Sequence, residues 1–309
     1  MKRKFSYYQL TQLNRGVKMT KQSKLIRSAN LLKKFQTMFK CPLCSSSMWV
    51  SNQKALTCQN RHTFDIARRG YIHLLTKPSQ SRYDQKLFLA RRKILKDSNF
   101  FHPLMQKLKM ITTQQTINKD RFIIADMGTG EGSHLHTLFE DLQYTKKQIT
   151  GIGLDISKEG IIEAAKHYDS FIWLVADLAH PPIKDQQIDV ILNILAPSNY
   201  NAFYELLADD GIVIKVIPGS FYLHEMRTFF QYDEKTSNKH MIDNFTSHFQ
   251  LIDEMNIYEQ MTLDQPMLQS IAQMTPLTWT ANKKDIHKFM QQTKMKMTLD
   301  VKILVGRKI

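Results

Sequence analysis

The sequence predicts an α/β protein: an open parallel sheet of the Rossmann-like type, preceded by a small metal-stapled module. Three observations predict it. From about residue 120 onward, short apolar runs alternate with amphipathic stretches, the pattern of strands buried on both faces between helices. A glycine-rich turn directly follows the first of those runs. Ahead of the sheet, Cys41, Cys44 and Cys58 fall within 18 residues, a clustering that points to a metal ion.

Residues 1–40 hold 11 Lys and Arg and no acid. They are read as a basic N-terminal extension, with a solvated, disordered tail and a folded arm both open. Residues 41–76 are the metal-binding module. Residues 77–85 (KPSQSRYDQ) are polar and turn-rich and open a linker that runs to residue 116. Helices are expected within it at 84–97 and 102–114, because Leu87, Phe88, Ile94 and Leu95, then Leu104, Met105 and Leu108, recur at helical spacing. The sheet domain covers residues 117–309. Strands are expected at FIIAD (122–126), ITGIGLD (149–155), FIWLVAD (171–177), IDVILNIL (188–195) and GIVIKVI (211–217), with helices over 132–143 and 158–168. Toward the C-terminus the pattern gives helices near 219–231 and 282–292 and a last strand, LDVKILVG (299–306).

Charge is unevenly spread. The chain carries +15 overall, yet residues 1–96 hold 22 of the 43 Lys and Arg and only two acids, Asp65 and Asp84. A basic front half is an electrostatic footprint for phosphates. No run of about 18 apolar residues appears, which argues against a membrane span. The N-terminus lacks the apolar core of a secretory signal, so a cytoplasmic location is expected. In a reducing compartment three cysteines do not suggest disulfides.

Cys41-Pro42-Leu43-Cys44, thirteen residues, then Cys58 and, after three intervening residues, His62 give four ligands from two turns. Thiolates and an imidazole suit tetrahedral zinc, and a closed set of four protein ligands is structural, with no position left for substrate. The module is therefore zinc-ribbon-like, and metal binding supplies most of its folding free energy.

Asp126-Met127-Gly128-Thr129-Gly130-Glu131-Gly132 stands between a strand and a helix. Glycines there allow a tight turn and close approach of the backbone to a ligand. Such a turn serves NAD as well as S-adenosylmethionine. Three acids favour the second. Asp126 ends the first strand, where it meets the positively charged methionine end directly or through water. Asp155 ends the second, where a carboxylate accepts both ribose hydroxyls. Asp177 ends the third, near the adenine amino group. All three fall at carboxyl ends of strands, where an open α/β sheet binds ligands.

With these motifs in hand, the chain resembles the RlmA family of 23S rRNA guanine-N1 methyltransferases, which includes a tylosin-resistance protein. The resemblance runs from about residue 39 to the C-terminus. It rests on CPLC (41–44), CxxRHxFDxAxxGYxxLL (58–75), ARR (90–92), DMGTGEG (126–132), GLDIS (153–157), IPGSFYLHEM (217–226) and MTPLTW (274–279). It implies a class I methyltransferase domain, S-adenosyl-L-methionine as cofactor, structural Zn2+, 23S rRNA as partner, and a homodimer that clasps RNA. It implies Cys41, Cys44, Cys58 and His62 as zinc ligands, and Gly130 and Glu131 beside the cofactor. An aromatic contact falls at Phe101, which has no hydroxyl, and a contact made by His in the family falls at Tyr222. NILAPSN (193–199) lies where the target base is expected. Met38, just before Phe39-Lys40-Cys41, resembles a family start, so residues 1–40 are a basic arm or an upstream start-codon assignment.

Guanine N1 carries a proton at neutral pH, so a base should help remove it; no residue stands out for that role. All three cysteines precede residue 59, which argues against a covalent thiolate route. RNA recognition in loops uses stacking and arginines, with Arg61, Arg68, Arg69, Tyr71, Arg82, Arg91 and Arg92 as candidates. Arg91 and Arg92 have a rival role in holding the linker helix. Other readings stay open: a methyltransferase acting on tRNA or another acceptor, or a non-catalytic RNA-binding adaptor.

Overall fold

The computed structural model describes residues 22–78, 83–232 and 238–309. Arg82 and the first 21 residues of the basic extension lie outside them. The chain runs through α1 (Lys24–Phe35), β1 (Met48–Ser51), β2 (Ala55–Cys58), β3 (Thr63–Asp65), β4 (Tyr71–His73), α2 (Gln85–Asp97) and α3 (His102–Gln115). It continues through β5 (Arg121–Met127), α4 (Ser133–Leu142), β6 (Gln148–Asp155), α5 (Lys158–His167), β7 (Phe171–Val175), β8 (Ile188–Ile194), α6 (Tyr200–Leu206) and β9 (Leu207–Pro218). It closes with α7 (His224–Phe229), α8 (Lys239–Thr246), β10 (Phe249–Asp264), α9 (Gln265–Met274), α10 (Lys283–Met290) and β11 (Lys294–Lys308).

Strands β1, β2 and β3 make a small antiparallel sheet. The large sheet has the order β10-β11-β9-β8-β5-β6-β7-β4. It is parallel from β4 to β9, and the long β10–β11 hairpin adds antiparallel to β9. From β5 the chain steps outward through β6 and β7, then returns to β8 on the other side of β5. That reversal opens a crevice at the strand ends between β5 and β8, where ligands bind in such sheets. Alternation along β5 feeds two cores. Phe122 and Ile124 pack on one face with Leu104 and Leu108 of α3. Ala125 and Met127 pack on the other with Phe203 of α6 and with Phe39 and Leu56 from the front of the chain.

Three points refine the expectations. Within the basic extension, where a disordered tail and a folded arm were both open, residues 24–35 are a helix. Leu25, Ala29 and Leu32 recur at i, i+4 and i+7, and Ala29 and Leu32 are buried against the sheet. The Ser23 side chain caps the helix start, Ser28 Oγ donates to Gly70 O at 2.6 Å, and Lys24 and Arg27 reach Asp169 at 2.6 and 2.7 Å. The basic residues hid this spacing. Secondly, the metal module does not end cleanly at residue 76, because β4 pairs with β7 (Tyr71↔Trp173, Ile72↔Leu174, His73↔Val175) and extends the large sheet. Thirdly, the linker helices pack as part of the main body: α2 lies on α5 and α9, and α3 on α4.

Candidate functional site

The β1–β2 hairpin sets Cys58 opposite Met48, which carries it to the Cys41–Cys44 turn. Arg61 adopts a left-handed conformation (φ 61°) that bends the chain so His62 faces the same point. Cys44 Sγ lies 3.7 Å from Cys58 Sγ, and His62 Nδ1 lies 3.5 Å from both Cys41 Sγ and Cys58 Sγ. All four ligand atoms fall within 4.8 Å of one another. Tetrahedral zinc–sulfur bonds of roughly 2.3 Å give edges of about 3.8 Å, so the set fits one zinc ion. The Ser46 hydroxyl, 3.1 Å from Cys44 Sγ, is the main cause holding that thiol down to about 5. Cys44 therefore offers the thiolate a metal requires.

The glycine loop after β5 is built for close approach. Gly128 (φ 89°) and Gly132 (φ 78°) sit in the left-handed region. A Cβ on Gly128 would come within 2.6 Å of Ala196, and one on Gly132 within 2.5 Å of Trp173. Asp155 organises the loop: its Oδ2 accepts from Gly130 N at 2.7 Å and its Oδ1 from Ser157 N at 2.8 Å. Burial still raises its carboxyl above the usual value, against those two bonds.

A cavity of about 390 Å³ opens over this loop. Of the residues expected at the cofactor, Phe101, Gly128, Asp155, Asp177 and Tyr222 line it. Asp126, Gly130, Glu131 and Gly132 form the layer behind. Asp126 is buried and accepts from Thr129 Oγ1 at 2.7 Å, so its visible role is to brace the loop. Burial pushes its carboxyl up to about 7, against the pull of Thr129 and Arg91. Below pH 4 the group is protonated both folded and unfolded. Between pH 4 and 7 only the unfolded form ionises, so native stability falls, by about 4 kcal/mol at most. Asp126→Asn is therefore expected to gain stability over the wild type as pH rises from 4 to 7, then hold that gain. Urea titrations at several pH values check this; a pH-independent difference rejects it.

Arg91 is the main correction among the expected RNA contacts. On α2 it follows Leu87 by one turn, on the inward face, and it lines the cavity with Phe88. Its Nε lies 3.3 Å from Glu131 Oε2, and its Nη2 lies 3.2 Å from His134 Nδ1. Burial disfavours the charge on Arg91, but the Glu131, Asp126 and Asp155 carboxylates outweigh it. Arg92 packs over the Tyr168 ring at 6.0 Å, in line with the rival role of holding the helix. Arg61, Arg68 and Arg69 are exposed on the module and Tyr71 is half-buried.

His134 was not foreseen. It is buried, and burial with Arg91 holds its pKa well below the ordinary value. The imidazole is neutral, with Nδ1 accepting from Arg91, and Nε2 has no partner. Neither Glu131 carboxylate oxygen makes a well-aligned hydrogen bond. Polar atoms left wanting beside a glycine-walled cavity fit a polar ligand such as S-adenosylmethionine.

A second cavity, of about 590 Å³, adjoins the first. Leu195, Ala196, Pro197, Tyr222, Thr275 and Pro276 line both. NILAPSN thus forms the wall between them, turned by Leu195 in a left-handed conformation (φ 50°). Lys215 of β9, opposite Asn193 of β8, lines the second cavity, as do Arg227 and Tyr232. The one cation in GIVIKVI was the available signal for it.

The family model for the N-terminal region of RlmA, a zinc ribbon, matches residues 39–82. The chain is 40% identical over 276 residues, 88% of its length and 98% of the relative's, to a Bacillus subtilis (strain 168) protein named "Putative 23S rRNA (guanine-N(1)-)-methyltransferase YxjB". It is 27% identical over 243 residues, 78% of its length and 85% of the relative's, to a Streptomyces fradiae protein named "23S rRNA (guanine(748)-N(1))-methyltransferase". A solved structure titled "putative methyltransferase", from Bacillus halodurans C-125, aligns at 10% identity and TM-score 0.42 over 65% of this chain and 98% of that one. No helix among the described residues is long and apolar enough to cross a membrane.

Proposed function

Because the chain belongs to the family of 23S rRNA (guanine-N1)-methyltransferases with an RlmA-type zinc ribbon, we propose that it methylates N1 of one guanine in a hairpin loop of 23S ribosomal RNA. The observation that carries this reading is the pair of cavities meeting at Leu195-Ala196-Pro197 and Tyr222. One suits a nucleoside cofactor and the other an extruded base. S-adenosylmethionine, when bound, supplies an activated methyl group. Asp155 accepts from the ribose hydroxyls, Asp177 faces the adenine end, and Gly128 lets the backbone approach. The Arg91–Glu131 pair and His134 hold the polar end of the site. Phe101, Phe88 and Leu87 exclude water from it, and Tyr222 closes the junction with the acceptor cavity.

A base stacked in a loop reaches a buried methyl donor only when unstacked and flipped. Arg61, Arg68 and Arg69, with Tyr71, are proposed to hold the RNA phosphates and loop during that step. Trp49, 41% exposed on β1, adds a stacking surface on the same module. The protein's main contribution to methyl transfer is then alignment of donor and acceptor.

The test is mass mapping of 23S rRNA nucleosides from cells with and without the gene. Loss of a single N1-methylguanine, restored by the wild type and not by Asp155→Ala, is the expected outcome. A methylated guanine lost from tRNA instead moves the substrate to tRNA. An unchanged modification map in both RNAs overturns the proposal.

A further inference from the structure

We propose that Lys215 is the group that takes the proton from the target base during methyl transfer. The inference rests on the guanine-N1 reading above and identifies a base that neither the motifs nor the relatives name.

Lys215 is 5% exposed, within the buried and otherwise apolar run IVIKVI (212–217) of β9. Burying a cation is costly without a paired anion, and no carboxylate shares its cavity among the described residues. Its Nζ instead donates to Asn193 Oδ1 and to Ala196 O, the latter at 2.6 Å. Asn193 is held in turn: its Nδ2 donates to Met127 O and Pro197 O, and its Oδ1 also accepts from Ser198 Oγ at 2.8 Å. The amine is thus fixed by two neutral acceptors in the wall between the cofactor and acceptor cavities. Those bonds use two N–H groups and leave one tetrahedral position on Nζ, which holds a proton in the ammonium and a lone pair in the amine.

The other ionisable groups lining the acceptor cavity do not suit the task. Tyr222 is pushed up to about 12 by burial. Arg227 carries a guanidinium, which has only donors and no site to accept a proton. Tyr232 donates its hydroxyl to Leu277 O at 2.6 Å. Burial alone lowers Lys215 to about 8, so a usable fraction is neutral at pH 7.

In the step, neutral Lys215 Nζ accepts the N1 proton while the freed N1 electron pair bonds to the methyl carbon. The carbon–sulfur bond of the donor breaks, and its electron pair stays on sulfur. The resulting ammonium then returns its proton to water.

Single-turnover methylation of a 23S rRNA hairpin fragment from pH 6 to 10, with calorimetric cofactor binding, tests this. In the wild type the rate is expected to rise with pH and level off above about 8. Lys215→Met should lower the rate at pH 7 by roughly 100-fold or more and climb without a plateau, while cofactor affinity stays within about twofold. Lys215→Ala should recover rate with small primary amines in proportion to their free-base concentration. Lys215→Arg, which keeps the charge but cannot accept a proton, should stay as slow as Lys215→Met. Wild-type-like rates in Lys215→Arg, or an unshifted plateau in Lys215→Met, overturn the assignment. Should Lys215→Met lose cofactor binding, the Ala variant with and without amine decides: no rescue rejects it. A wild type that leaves the guanine unmethylated contradicts the functional reading instead.

Discussion

Exchanging Cys41 for Ser, or stripping zinc with a chelator, is expected to unfold residues 39–74 and abolish RNA methylation. The magnitude follows from the module's size. Its sheet has three strands of three or four residues each, too little apolar surface to hold together alone. A structural zinc ion contributes about 10–16 kcal/mol of apparent binding free energy in small modules, as much as the whole stability of an ordinary domain. Replacing one thiolate by a hydroxyl breaks the tetrahedral set that brings Cys44 and Cys58 to 3.7 Å. Hydrogen exchange across 39–74, with metal content by mass spectrometry, gives the readout. Undiminished protection in a zinc-free chain would exclude a structural metal here.

Asp155→Ala is expected to weaken S-adenosylmethionine binding about 100- to 10,000-fold. A carboxylate accepting from two ribose hydroxyls contributes about 1.5–3 kcal/mol per bond, hence roughly 3–6 kcal/mol in affinity. The same side chain anchors Gly130 N and Ser157 N, so its loss also releases the glycine loop. Asp177→Ala provides the contrast. Its side chain is 47% exposed and its Oδ1 accepts from Ala179 N at 2.9 Å, so its local turn loosens while the glycine loop stays braced. A loss of about tenfold is expected there. Calorimetry on both variants separates the cases, and equal, small losses would count against a cofactor seated on Asp155.

Much of this was legible because buried parallel strands are continuous apolar runs. FIIAD, ITGIGLD and IDVILNIL announce themselves, and each ends at the carboxyl edge where a ligand must sit. The zinc set was legible because four ligand types in two tight turns have few other uses. What stayed hidden has physical reasons. The helix over 24–35 carries four Lys and Arg on its outer faces, and net charge drowned its apolar stripe. Strand β10 is mostly exposed, Glu254, Asn256, Tyr258, Glu259 and Gln260 among its residues, and only its partner β11 makes it a strand. Strand β4 is three residues long, below any periodicity. Arg91 read as one of a basic cluster. Its inward role depends on Glu131, forty residues away in sequence, and such pairings are fixed by the tertiary fold. His134 and Lys215 gain meaning only from the cavities around them.

The pairing of β4 with β7 has one more consequence. FIWLV is buried along its whole length, and β4 covers its outer backbone edge. The metal module therefore acts as a shield against chain-to-chain association. A chain that lacks its ion and sheds β4 presents a short, wholly apolar strand with open hydrogen-bonding groups, the template on which sheets of different molecules join. Solubility of this protein is therefore expected to depend on metal supply, with zinc starvation raising the aggregated fraction.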